Sequence, residues 1–126
     1  MKEVSQNLKK WFVAHFIIDL LFAVPLFLFP ATFLGFVGWE YFDPVTARLV
    51  AAALFGIGLE SYLGRNGNAE QFKGMLRLKI IWSGFATFGI LITMFSIETK
   101  PLIGWFLAAV FLAFNTVWVY WWRKLE

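Results

Sequence analysis

Apolar residues in this chain come in four long runs: Trp11 to about Pro30, Val45 to about Gly64, Ile80 to Ile97, and Pro101 to Trp122. Each holds about 18 to 22 residues, enough at about 1.5 Å per residue to cross a hydrocarbon core of about 30 Å. Backbone in lipid is satisfied only by helices or closed barrels, and none of the runs alternates apolar and polar positions as a barrel strand does. The pattern predicts an all-α membrane protein: an up-down-up-down bundle of four transmembrane helices (about 11–30, 45–64, 80–97 and 101–122) in a single integral membrane domain, 1–126.

The connections agree with that reading. Residues Ala31 to Pro44 form a short aromatic link, with Gly35 and Gly38 for turns and Trp39, Tyr41 and Phe42 suited to the interface. Arg65-Asn66-Gly67-Asn68 is a turn signal. Residues Ala69 to Leu78 mix charge with Phe72, Met75 and Leu76, so the third helix is expected to begin before the membrane does. Pro101 suits the first turn of the fourth helix. Pro25 is expected to kink the first helix and free the carbonyl of Leu21. A cleaved signal peptide is the competing reading of the first run. Its length, its Asp19 and the lack of a small-residue cleavage site favour a retained span.

Composition sharpens the class. The chain is 60% hydrophobic and 21% aromatic but only 15% charged, where a soluble domain carries about 25% charged residues. So few charges cannot keep a globule's surface wet, whereas lipid accepts an apolar exterior. The net charge of +3 forms no stripe or patch, which argues against nucleic acid. With no Cys, thiol redox chemistry and Cys-ligated metal are excluded.

Basic residues give the spans a direction. Lys2, Lys9 and Lys10, then Arg65, Lys73, Arg77 and Lys79, then Arg123 and Lys124 place nine on one side, against Arg48 and Lys100 on the other. The expectation is a multi-pass protein of the cell (inner) membrane with both termini cytoplasmic. Membrane lipids are the natural partner of these juxtamembrane cations.

Ionisable groups at membrane depth are costly and usually functional or paired. His15 and Asp19 are four apart on the first helix, hence on one face. Arg48 and Glu60 lie on the second helix, Ser83 and Thr87 on the third, Asn115 and Thr116 on the fourth. From the helical rise, His15, Glu60 and Ser83 fall about 6 Å from the cytoplasmic helix ends. Asp19, Gly56, Thr87 and Asn115 fall about 10 to 12 Å in. Two meanings stay open: hydrogen-bonded glue between helices, or a binding or proton-handling site in which His15 titrates and Asp19 orients it. Arg48 is expected to snorkel to the outer interface or to pair with Asp43 or Asp19. Ala52 and Gly56 offer a small-xxx-small contact, joined by Gly84, Ala108 and Ala109. The seven Trp gather at helix ends, as interfacial anchors do.

No cofactor or metal is expected. One His cannot give two axial haem ligands within a chain, no Lys is placed mid-helix to hold retinal, and phosphate loops, nucleophile elbows and zinc spacings are missing.

From Gly38 to Gly58 the residues G-W-E-Y-F-D-P-V-T-A-R-L-V-A-A-A-L-F-G-I-G resemble a pattern of small prokaryotic four-helix membrane proteins that are DoxX-like. In these an early helix ending in Pro leads through a short loop to D-P, then A-R-L and small residues. The resemblance implies the fold and brings no catalytic residues.

Three function classes follow. The leading one is a non-enzymatic membrane protein that binds a small lipophilic ligand or partner helices, with His15, Asp19, Glu60, Asn115 and Arg48 at the site. A second is a small transporter or channel subunit that works as a homo-oligomer, because four helices leave little room for a solute path. A third is an intramembrane isomerase or hydrolase with His15 and Glu60 as acid and base.

Overall fold

The computed structural model describes residues 3–125; Lys2 of the charge count lies outside them. Five helices follow in order: α1 Gln6–Leu28, α2 Pro30–Phe36, α3 Pro44–Leu63, α4 Ala69–Ser96 and α5 Leu102–Leu125. Among the described residues there is no strand. Four of the helices, all but α2, are long and apolar enough to cross a membrane. Their outer surface is apolar too: Leu21 is 68% exposed, Phe85 74% and Leu102 83%. Water would not tolerate so continuous an apolar exterior, and lipid does. The protein is therefore an all-α, multi-pass integral membrane protein.

Helix limits differ from the apolar runs because caps, not hydropathy, end helices. Helix α1 begins at Gln6, five residues before Trp11, where the Ser5 hydroxyl accepts the Asn7 N–H at 3.2 Å. It stops at Leu28 rather than Pro30. Phe29 precedes a proline, which disfavours helical backbone at that residue, and it sits at φ −143°, ψ 68°. Pro25 lies inside α1. The link expected from Ala31 onward instead contains α2, which starts on Pro30. Helix α2 closes with Gly38 at φ 84°, the Gly38 N–H donating to Gly35 O and the Trp39 N–H to Leu34 O. That pair of bonds is a Schellman closure, and its left-handed residue is a glycine for steric reasons. Helix α4 does begin ahead of the third apolar run, at Ala69. Pro101 sits just before α5, its carbonyl accepting the Gly104 N–H at 3.0 Å.

The chain divides into two compact units, one up to Ala69 and one from Glu70 onward. In the first, α1 and α3 pair antiparallel. Phe16 stacks on Tyr62 at 4.8 Å between ring centroids, and further along Phe27 meets Phe55 edge to face at 6.0 Å. At the far end Leu26, Ala47 and Ala51 form a small core on which Phe33 and Leu34 of α2 pack. In the second unit α4 and α5 form an antiparallel hairpin across the five-residue link 97–101. Trp82 meets Phe111 at 6.1 Å, and Phe95 meets Trp105 at 5.5 Å.

Buried positions form stripes with steps of three and four: Leu8, Phe12, His15, Asp19, Ala23 and Leu26 on α1, and Ala47, Ala51, Leu54, Gly58 and Ser61 on α3. On α4 the same spacing runs through Phe72, Leu76, Lys79, Ser83 and Thr87. With lipid outside, apolar residues fall on every face, and the stripes are marked by polar and small ones. Three expectations change accordingly. Ala52 and Gly56 are exposed, and the small residues inside are Ala51 and Gly58. Trp118 is fully buried and stacks on Phe114 at 5.5 Å, so it belongs to the core and not to an interfacial belt. Lys79, counted among the cytoplasmic cations between the second and third spans, is the eleventh residue of α4 and only 2% exposed.

Candidate functional site

The first unit places His15 and Asp19 together, as the i, i+4 spacing predicts. Nε2 of His15 lies 3.3 Å from Oδ1 of Asp19, with side-chain exposures of 5% and 7%. Two polar groups can sit this close to a neighbouring helix only if that helix yields room. Gly58 supplies it: a Cβ there would stand 2.8 Å from the Asp19 Cβ, inside any normal contact. The pair is therefore packed against bare backbone of α3. One turn away the Ser61 hydroxyl donates to the Ile57 carbonyl at 2.7 Å, a back-bond to its own helix.

The second unit holds a different arrangement. The Asn115 side-chain amide, on α5, donates to the Ile80 carbonyl and to the Ser83 hydroxyl of α4, each at 3.0 Å. The Ser83 hydroxyl donates to Lys79 O, and the Thr87 hydroxyl to Ser83 O, each at 2.7 Å. Beside this chain of bonds the Lys79 ammonium lies 4.9 Å from the Trp118 ring centroid, a cation held on an aromatic face where it is out of water.

The remaining sequence candidates lie at the periphery. Arg48 is exposed, and instead of Asp43 or Asp19 its Nε meets the Phe27 carbonyl, to which it donates at 3.0 Å. Phe27 is in the last turn of α1, where carbonyls lose their intrahelical donors, so Arg48 caps one helix from another. Asp43 instead caps its own helix, its Oδ2 accepting the Thr46 N–H at 2.8 Å and the Thr46 hydroxyl. These two bonds, the hydroxyl's first, hold the Asp43 carboxyl below its ordinary value of 3.8. Glu60 is exposed, on the side of α3 away from Gly58 and Ser61. The structure thus unites His15 with Asp19, and Asn115 with Ser83, and leaves Glu60 and Arg48 outside both groups.

Lys79, Trp118 and Gly58 were missed by sequence reasoning. A signal for Lys79 existed: stepping back by four from Ser83 along the polar positions of α4 lands on it. No comparable signal marked Gly58 over Gly56, since both lie in the same run of small residues.

Chemically, a histidine and a carboxylate at 3.3 Å can share a proton, orient one another and present hydrogen-bonding atoms to a polar group that arrives through lipid. Among the described residues no three His, Cys, Asp or Glu side chains gather as metal ligands would. In comparisons with known proteins the chain matches no family model, no curated protein and no solved structure. The functional reading rests on the site itself.

Proposed function

We propose that this protein is a non-enzymatic membrane receptor or carrier that binds a small lipophilic molecule, or a partner helix, through the polar stripe of α1. The observation that carries the reading is the His15–Asp19 pair, buried at 3.3 Å inside an apolar span. Ionisable groups at such depth are unfavourable by several kcal/mol unless matched. Helix association alone needs no titratable pair, because a neutral amide such as Asn115 meets that need in the second unit. A ligand with an apolar body and one hydrogen-bonding head would make use of both groups. Asn115 supports the reading only as a second polar site. Glu60 and Arg48, on exposed faces, suit contacts with lipid headgroups or a neighbouring chain.

The nine-to-two split of basic residues supports cytoplasmic termini, and the DoxX-like resemblance at Gly38–Gly58 agrees with a small bacterial-type four-span protein. Because the chain has no Cys, Asn66→Cys labelled by an impermeant maleimide reports sidedness directly; labelling from outside intact cells would reverse the assignment.

The binding proposal is tested by solvent extraction of the purified protein and mass spectrometry of co-purified lipophilic molecules. The wild type is expected to retain a species that His15→Ala/Asp19→Ala loses, with helix content unchanged. Equal retention removes the pair from ligand binding.

A further inference from the structure

The α4–α5 hairpin carries an open groove at its basic end, lined by Arg77, Ile80, Ile81, Val119, Trp122 and Arg123, with a volume of about 450 Å³. Two cations lie in its wall and no carboxylate does. The nearest acidic residue along α4, Glu70, is engaged by Lys73 at 3.4 Å. The Arg77 guanidinium lies 6.0 Å from the Trp122 ring centroid, so part of its surface rests against an aromatic face while its N–H donors remain for another group. The rest of the lining is aliphatic, and Ile81 is 53% exposed at the start of the apolar part of α4.

We propose that this groove binds an anionic phospholipid, its phosphate held between Arg77 and Arg123 and its first acyl carbons along Ile80, Ile81 and Val119. Guanidinium groups match phosphate oxygens in pairs. A basic pocket between transmembrane helices is suited to an anionic headgroup, since it adds fixed donors to the general attraction of the leaflet. A free anion would have no use for the aliphatic wall, and a neutral lipid would leave two cations uncompensated. The order of the lining along α4, from Arg77 to Ile81, follows the order of a lipid from headgroup to chain. The site is built wholly from the second unit and does not depend on the His15–Asp19 reading.

The test uses the full-length protein, stripped of lipid in detergent and titrated with short-chain phosphatidylglycerol or phosphatidylcholine, with bound lipid counted by native mass spectrometry. Phosphatidylglycerol is expected to bind more tightly, and Arg77→Gln and Arg123→Gln each to weaken it about fivefold. Arg65→Gln, a basic residue outside the groove, is expected to leave it unchanged. Ile81→Trp fills the aliphatic wall without touching charge, at an exposed position that does not endanger folding, and is expected to weaken binding as well. The proposal is overturned by equal binding of the two lipids, by a loss in Arg65→Gln as large as in Arg77→Gln, or by unchanged binding in Ile81→Trp. Displacement of the lipid by inorganic phosphate at equal concentration would reduce the site to a simple anion site and overturn it too.

Discussion

The two helical units solve the same problem, polar side chains inside a membrane-spanning segment, in opposite ways. In the first, His15 and Asp19 meet four residues apart on α1 at 3.3 Å, and α3 makes room for Asp19 at Gly58. In the second, Asn115 reaches across and ties α5 to α4 with two bonds of 3.0 Å. The connections differ in the same sense. Units joined by a tight link, as α4 and α5 are at 97–101, start with their helices in register, and a neutral amide suffices to hold them. The first unit spans Phe29 to Asp43 with a short helix of its own, and its register is held by steric fit, by the Phe16–Tyr62 stack and by Arg48 capping α1. The lesson is that polar residues in lipid do not all serve association. Asn115 forms its bonds across helices, whereas His15 and Asp19 meet within one.

This contrast can be broken most sharply at Gly58 and Gly104, where an added Cβ would overlap a side chain. Gly58→Ala is expected to destabilise the first unit by about 2 kcal/mol, because the new methyl meets the root of Asp19, which cannot turn away. Its measure is the denaturant midpoint in micelles. Gly104→Ala would also meet a neighbour, the thioether of Met94, but that is the far end of a flexible side chain. Here the loss is expected to stay under about 1 kcal/mol, offset in part by the helix propensity gained. Equal losses at the two positions would show that the first unit is no tighter than the second.

Next in size is Asn115→Leu, which removes both bonds between α4 and α5 and is expected to cost about 1 kcal/mol. A cycle with Ser83→Ala separates the hydroxyl's share, and a coupling of zero would mean that the amide acts on the Ile80 carbonyl alone.

The smallest effect is at Asp43. Its carboxyl titrates below the ordinary value of 3.8 because the ionised form accepts two bonds from Thr46. A depressed acid stabilises the fold above its unfolded value, and that contribution is lost as pH falls through the lower folded value. The onset of α3 should therefore loosen only below about pH 4, as read by hydrogen exchange at Thr46 and Ala47. Asp43→Asn should flatten that dependence while keeping most of the cap. A dependence that survives the substitution would assign it to another acid.

Much of the fold was legible in residue order. Length and hydropathy point to helices here, since lipid leaves only helices or closed barrels to satisfy the backbone and no run alternates as a barrel strand does. The early start of α4 was visible in Phe72, Met75 and Leu76 among charges. The i, i+4 spacing of His15 and Asp19 put them on one face whatever packed there. The break at Phe29 was encoded too, in the proline that follows it, although the continuous apolar run concealed it.

Residue order therefore settled what is local: four spans, one intrahelical pair and the residues able to cap. Tertiary structure decided which of several equivalent faces turns inward. In water that choice is written in hydrophobicity, but lipid is as apolar as a core, so an apolar residue has nearly the same free energy on either side. Gly58 rather than Gly56, and Trp118 as core rather than anchor, could be fixed only by side chains meeting across helices. The burial of Lys79 on α4 followed from the same packing. The inward face is chosen by shape and by where polar atoms find partners, and both of those exist only once the helices are side by side.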